Sequence, residues 1–449
     1  MSNETKSSYE FWFYVSVGAG LANATSSFMI MAGLFEVVQG LWVALAIIGS
    51  GILCWVTASA IAEQASLFPG SSGLRTYLKH SLGNQMSLFL VYIYLAFIVL
   101  GAGIESRLFA YVFTSVFPHF PPIAVSIVLF GVILGINLLG IEVPRIAQIV
   151  CLFLVLAGIA MFGLAGIFSL PHPQSLLHTS FTAGWKNLFY LPVAIGMGFF
   201  LFVGYEWVTP LGFRPQSYQR VVPYSMFAAI AATGFVAVLF TIGLAAQFQP
   251  AAIVKTPLPQ TELAVALLGA KGRIAALILC TLATLSTFNA GLLGGARLIY
   301  ALAREGNFFK VCTKVSLRTG VTYGSILLLG FACLASSLLV LEFGFEMPAA
   351  AIGSAIVCCV YGSLVYSMIR LRVLKTQQRA YVTPVPLWLN RILVPVVPLL
   401  GLASLLITPE VGAGAWIGFG VCALVSYCMT LWFTSRKVNP VSVLAGSNN

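Results

Sequence analysis

The stretch GMGFFLFVGYEW, Gly196–Trp207, sets one carboxylate, Glu206, into an apolar run that also carries three glycines. An ionisable group in such surroundings is expensive, faces protein or water rather than lipid, and usually marks a solute or ion path. The bland alternative is a neutral carboxyl making one structural hydrogen bond. A second acid, Glu105, stands in another apolar run. Tyr94, Phe97, Ile98, Gly101 and Glu105 recur at three- and four-residue steps, so a helix presents them on one face. Hydroxyls cluster at Thr25, Ser26 and Ser27, and again at Ser286 and Thr287 beside Asn289. Such groups hold ions and small polar solutes, although in membrane helices they often only bond to their own backbone. They make no catalytic constellation. All twelve acids are Glu, and His80, His119, His172 and His178 fall in loops or near the ends of apolar runs. An intramembrane enzyme needs a paired nucleophile and base, or metal-ligating His and Asp, and this sequence supplies neither. The nine cysteines, among them Cys54, Cys151, Cys280, Cys358 and Cys359, lie mostly inside apolar stretches away from His and read as small core residues.

The frame that positions these groups is built for lipid. Of 449 residues, 59% are hydrophobic and 8% charged, against about 25% charged in a soluble domain. A spanning helix needs about 20 apolar residues. Twelve runs qualify: 11–34, 41–66, 84–116, 122–140, 146–169, 188–211, 222–247, 274–302, 321–342, 347–370, 386–408 and 414–434. The expected class is therefore an all-α integral membrane protein of twelve transmembrane helices. The polar start MSNETKSSYE lacks the basic region and cleavage site of a signal peptide, so the first apolar run is expected to be retained. With residues 1–10 and 435–449 as cytoplasmic tails, only Lys186, Lys255, Lys271 and Arg273 face outside. Arg107 lies within a span, and the other eighteen of the 23 cations face inside. That bias follows the positive-inside rule. It also accounts for the net charge of +11 without a nucleic-acid partner, because no basic arm or aromatic-basic sheet pattern is present. The partners expected are the lipid bilayer and a small solute. No loop is long enough for a soluble catalytic domain, the longest external ones being 170–187 and 248–273.

Two spans are weak as helices. The first reads VSVGAGLANATSSFMIMAG and is interrupted by Gly18, Gly20, Asn23, Thr25, Ser26 and Ser27; the sixth holds Gly196, Gly198 and Gly204. Small residues also let helices approach closely. Breaks at corresponding places in two halves, however, point to an inverted-repeat transporter with its site at the breaks.

The chain resembles the amino acid–polyamine–organocation superfamily of permeases. AEQASLFPGSSGLRTYLKHSLG (Ala62–Gly83) is similar to that family's Ala-Glu, Phe-Pro, Ser-Gly-Gly and Tyr pattern. FVGYE (Phe202–Glu206) matches its Phe-x-Gly-x-Glu, and RPQSYQRVVP (Arg214–Pro223) resembles its proline-arginine-proline run. STFNAGLLGGARLIYALAREGNFF (Ser286–Phe309) is similar to its Ser/Asn-rich segment and Ala-Arg-(Asp/Glu)-Gly. The resemblance implies a leucine-transporter-like core over 11–370, with five-plus-five inverted repeats at about 11–169 and 188–370. Two accessory spans follow over 386–434. It implies uptake or exchange of amino acids by alternating access in a cell membrane of the bacterial inner type. A cationic amine, polyamine or ethanolamine lacking a carboxylate is the sibling substrate, and a non-transporting solute sensor the alternative of another class. The family's Gly-(Ser/Ala)-Gly-Ile at the first break is absent. Counting back from Trp42 puts the break near Thr25–Ser27, whereas the letters GAGL at Gly18–Leu21 come earlier.

On this resemblance a substrate carboxylate sits at the half-helix amides of Thr25, Ser26 and Ser27, where N–H groups and the dipole favour anions. An ammonium meets carbonyls around Gly198, Phe199 and Phe200. Phe200 and Phe202 are candidate gate aromatics, or ordinary core rings. The Tyr94–Ile98–Gly101–Glu105 face turns to the substrate, with Glu105 either attracting a cation or pairing in the outer interface. Glu206 couples or gates, with Ser286, Thr287 and Asn289 as oxygen donors. Some relatives bind sodium between spans 1 and 8, and others use a span 5 lysine, whose matching position near Val155 is apolar here. No cofactor is implied; proton coupling, sodium coupling and plain exchange all stay open.

Overall fold

The computed structural model describes residues 3–69, 73–140, 145–169, 184–211, 218–316, 319–374, 378–406 and 409–435. His172, His178, Arg214–Ser217 and the C-terminal tail from 436 lie outside them. Within them the chain is helical. The elements are α1 (Asn3–Ala22), α2 (Thr25–Val37), α3 (Leu41–Leu67), α4 (Leu74–Leu82), α5 (Asn84–Val116), α6 (Pro122–Leu138), α7 (Arg145–Phe168) and α8 (Gly184–Gly198). They continue as α9 (Val221–Gln247), α10 (Pro250–Lys255), α11 (Pro259–Leu268), α12 (Lys271–Arg304), α13 (Tyr323–Phe343), α14 (Glu346–Leu374), α15 (Leu387–Ala403) and α16 (Pro409–Ser435). Long apolar runs take this form because a helix satisfies every backbone group within itself, as a lipid medium demands.

Ten of these helices are long and apolar enough to cross a membrane, and the bent pair α1–α2 makes eleven. The expected span at 122–140 is represented by α6, whose 17 residues fall short of the usual length of about 20. Three short helices were not expected. They are α4 after the second span, and α10 and α11 within the 248–273 connection. The helices differ in depth. In the apolar window of α14, 78% is buried; in that of α16 only 17% is. α14 is thus the central post, and α16 a peripheral one. Phe153, Leu154 and Met161 of α7 and Leu424 and Val425 of α16 are exposed. An apolar outer face of this kind is what lipid contact requires.

Ion pairs tie together segments far apart in sequence. Arg75 of α4 is fully buried and pairs with Glu305, just past α12, at 2.8 Å. It also donates to Asn84 Oδ1 at 2.6 Å and to Ser87, so two of the quoted motifs meet here. Glu63 near the end of α3 is 1% exposed. It binds Arg372 at 2.5 Å and Arg379 at 3.3 Å and accepts from the Thr383 amide at 3.0 Å.

Candidate functional site

The chain bends by 55° between Ala22 and Thr25, at the register that counting from Trp42 indicates. The polar groups freed by the bend are met by neighbouring helices. Asn23 Nδ2 donates to Ala19 O at 2.8 Å and to Thr233 of α9 at 2.9 Å. Ser27 Oγ donates to Ala22 O at 2.7 Å. Thr287 of α12 donates to Gly20 O at 3.0 Å, and Ser286 Oγ lies on the same side of Gly20, with no hydrogen-bond partner among the described residues.

Glu105 lies inside the helix bundle. It is 2% exposed and reaches from α5 to the first turn of α2. There Oε1 accepts from Thr25 N at 3.0 Å and Oε2 from Ser26 N at 2.8 Å. Thr284 of α12 donates to Oε1 at 2.5 Å. Two of the three amides expected to face a substrate carboxylate, those of Thr25 and Ser26, are therefore engaged by this side chain. Arg107, two residues on, does not share the site; it pairs with Glu346 at 2.5 Å.

The sixth span breaks later than expected. α8 runs through Gly198 without interruption and tightens into a 3-10 turn at Phe199–Phe202; a second 3-10 segment begins at Tyr205. The change of direction falls at Val203 and Gly204, and Gly204 has φ +132, a backbone region that glycine adopts without penalty. A Cβ on Gly204 would stand 2.8 Å from Gly18 O and 2.7 Å from Leu21 Cβ. The two broken spans thus touch backbone to backbone at the break, and Gly18, the first of the early GAG letters, serves that contact. Gly198, by contrast, stays helical and packs on Ser50 of α3.

Glu206 is 2% exposed. Tyr94 donates to its Oε1. Tyr361 of α14 donates to Oε2 at 2.7 Å, as does the Gly204 amide at 3.0 Å. Three donors converge on an acceptor-only group, the pattern an ionised carboxylate satisfies. Tyr94 Oη in turn accepts from Trp207 Nε1 at 3.0 Å.

A cavity with about 810 Å³ of empty space, counting its mouth, lies where the breaks meet. Of the residues singled out in the sequence, Ser26, Ser27, Phe97, Ile98, Gly101, Glu105, Phe200 and Thr287 line it. A second hollow lies beyond, lined by Tyr94 and Glu206 together with Arg297, and Trp207 lines both. The ring of Trp207 therefore separates the two spaces. It fits because residue 294 is glycine, where a Cβ would stand 2.3 Å from two of its ring atoms. Thr25, Gly198, Phe199, Phe202, Ser286 and Asn289 line neither space. Phe202 packs instead on Gly51 and Gly234. Trp207, Tyr361 and Thr284 were not anticipated. The signal for Trp207 was its adjacency to Glu206; no sequence spacing connects Tyr361 or Thr284 to the site.

Comparison with known proteins fits this geometry. Over residues 10–436 the chain matches the family described as Amino acid permease. It is 24% identical over 299 residues to amino-acid permease RocE of Bacillus subtilis (strain 168), covering 63% of each protein. It is also 24% identical over 267 residues to the uncharacterized amino acid permease YecA of the same strain, covering 57% of this chain and 59% of that one. The matched part thus spans 63% and 59% of these relatives' length. A manganese transporter of Eremococcus coleocola, solved with an aromatic bis-isothiourea substituted compound, superposes with TM-score 0.62 at 12% identity, covering 96% of this chain and 94% of that one. A mutant of the same transporter superposes with TM-score 0.57. At that identity the likeness is one of fold alone. Matched over almost its whole length, and bent at the points where its cavity lies, the chain belongs to the amino acid permease family.

Proposed function

We propose that this membrane transporter is a secondary one, carrying a small amine-bearing solute by alternating access, with amino acids as the substrates its relatives' names suggest. One observation carries the reading: the cavity sits where the two bent spans touch, walled by helices from both halves of the chain. A guest held there contacts both sides of any rocking motion between the halves, as inverted-repeat transporters require. The five-plus-five repeat at 11–169 and 188–370, with accessory spans over 386–434, belongs to the same proposal. So do cytoplasmic termini in a bacterial-type inner membrane, which the distribution of cations supports.

Within the site, Phe200 covers the guest from the sixth span while Ile98 and Gly101 shape the opposite wall. Glu206 and the Tyr94–Trp207 pair close the floor and couple its opening to ion or proton movement. Proton coupling runs through Glu206; sodium coupling would use the oxygens near Gly20, Ser286 and Thr287. A solute without a carboxylate is a specific second reading, favoured by the position of Glu105.

Uptake of labelled amino acids and amines into proteoliposomes, with and without sodium and pH gradients, tests the proposal. Concentrative or exchange uptake of at least one solute is expected. Glu206→Gln should change the pH profile of that uptake, and an unchanged profile removes Glu206 from coupling. Failure of the whole panel to enter or exchange sinks the transport reading.

A further inference from the structure

We infer that Glu105 stands in for a substrate carboxylate, so that the cavity takes a primary amine with an apolar body and no carboxylate. This rests on the transport reading above and narrows it.

The inference follows from counting donors and acceptors. At the start of α2 the Thr25 and Ser26 amides bind Glu105, and the Ser27 amide binds Ala24 O at 3.1 Å. The end of the half-helix that attracts anions already holds one, and its dipole is already compensated. The other hydroxyls on the wall point their protons elsewhere, Ser27 to Ala22 O and Thr287 to Gly20 O. The indole N–H of Trp207 is taken by Tyr94. Apart from the Ser26 hydroxyl and the weakly donating Cys333 thiol, the described side chains of the wall offer no donor to an incoming carboxylate.

Charge runs the same way. Among the described residues Glu105 is the one charged residue lining the cavity, and no described Lys, Arg or His joins it there. Arg107, the nearest cation in sequence, is held by Glu346. A guest carboxylate would be brought against a buried like charge, which disfavours ionisation of both. A guest ammonium meets the opposite situation. A carboxylate offers about four acceptor positions, and three on Glu105 are filled, leaving one on Oε2. The remaining wall is largely hydrocarbon and aromatic. Phe97 and Phe200 meet edge to face at 5.8 Å, and Phe130 and Phe288 at 5.1 Å. Ring faces attract an ammonium and accommodate an apolar chain. The fitting guest is the decarboxylated counterpart of a hydrophobic amino acid.

The test uses the full chain in proteoliposomes and nanodiscs with four probes: 2-phenylethylamine, 3-methylbutylamine, phenylalanine and leucine. Binding is read by isothermal titration and uptake by radiolabel. In the wild type each amine should bind and enter at least tenfold better than its parent amino acid. Glu105→Ala frees two amides and should reverse the preference, losing at least tenfold in amine affinity while gaining in amino acid affinity. Glu105→Gln keeps one oxygen for one of the two amides and sets its NH2 against the other, so it should lose amine affinity with a smaller gain in amino acid affinity than Glu105→Ala. Should Glu105→Ala fail to fold, the wild-type ratio of amine to amino acid decides the matter. Uptake of phenylalanine or leucine that neither amine inhibits would overturn the inference and leave the transport reading intact. No binding or uptake of any of the four would likewise overturn the inference, and the transport reading then stands or falls on the wider panel of amino acids and amines.

Discussion

Removing a single hydroxyl at either of two tyrosines should weaken the fold by different amounts, and the difference measures the Glu206 network. Tyr361→Phe deletes one donor to Oε2 and leaves the Gly204 amide bonded there. The Tyr205 hydroxyl, which also reaches Tyr361, keeps Thr57 as a partner. A hydrogen bond to a charged group contributes about 1.5–3 kcal/mol, and one between neutral groups about 0.5–1.5. With Glu206 ionised, Tyr361→Phe should therefore destabilise by about 1.5–3 kcal/mol. Tyr94→Phe deletes the donor to Oε1 and also strands the indole N–H of Trp207. That half-buried donor adds about 1 kcal/mol, the low end of the penalty for an unsatisfied group. Tyr94→Phe should thus exceed Tyr361→Phe by about 1 kcal/mol, and the excess should vanish in a Trp207→Phe background, an interaction energy within the usual range for residues in one network. Unfolding in mixed micelles by titration with sodium dodecyl sulfate, followed by far-ultraviolet circular dichroism, gives the comparison. Equal losses for both tyrosines, or an excess that persists without Trp207, would refute the assigned chain from indole to tyrosine to carboxylate. A loss well under 1 kcal/mol for Tyr361→Phe would refute the ionised form of Glu206.

Other consequences are as specific. Gly294→Ala places a methyl into the ring of Trp207, where the contact is 2.3 Å, and should destabilise by about 1–3 kcal/mol through overpacking. Gly291→Ala meets only the Leu21 methyl at 3.3 Å and should be tolerated, so equal melting temperatures for the two variants would contradict the wedge. Arg372→Met leaves the buried Glu63 with only Arg379 and the Thr383 amide, and should destabilise by about 3 kcal/mol, the low end for breaking a buried pair; mixed-micelle unfolding reads it, and a change under 1 kcal/mol would be inconsistent with the clasp. Burial alone would raise the Glu305 carboxyl, but hydrogen bonds from Arg75 and the charges of Arg75 and Lys79 outweigh it and hold it below its ordinary 4.5. A depressed folded value contributes stability that is complete above the unfolded value and is lost as pH falls through the folded one. The melting-temperature gap between wild type and Glu305→Gln should therefore be flat from neutral pH down to about 5 and close below that, and a gap that widens on acidification would reverse the assignment.

Hydropathy alone determined that this chain crosses a membrane many times, since a run of about 20 apolar residues has no other low-energy solution than a spanning helix. It also located both weak spans, because Gly, Asn, Ser and Thr lower helix stability wherever they stand. What hydropathy does not encode is rotation. In a soluble helix the polar stripe says which face is buried; here lipid and core are equally apolar, and both faces of α7 or α14 read alike. Rotation was set by close packing, so only the tertiary structure decided which side chains meet. It brought Glu105 to an amide 80 positions away and Tyr361 to a carboxylate 155 positions away. It also decided which glycine unwinds. Gly198 is used for contact with Ser50, while Gly204 turns the chain where the two bent spans touch. The sequence thus determined that polar groups would be set free within the membrane, and the fold determined what satisfies them, because that choice depends on neighbours that no local pattern specifies.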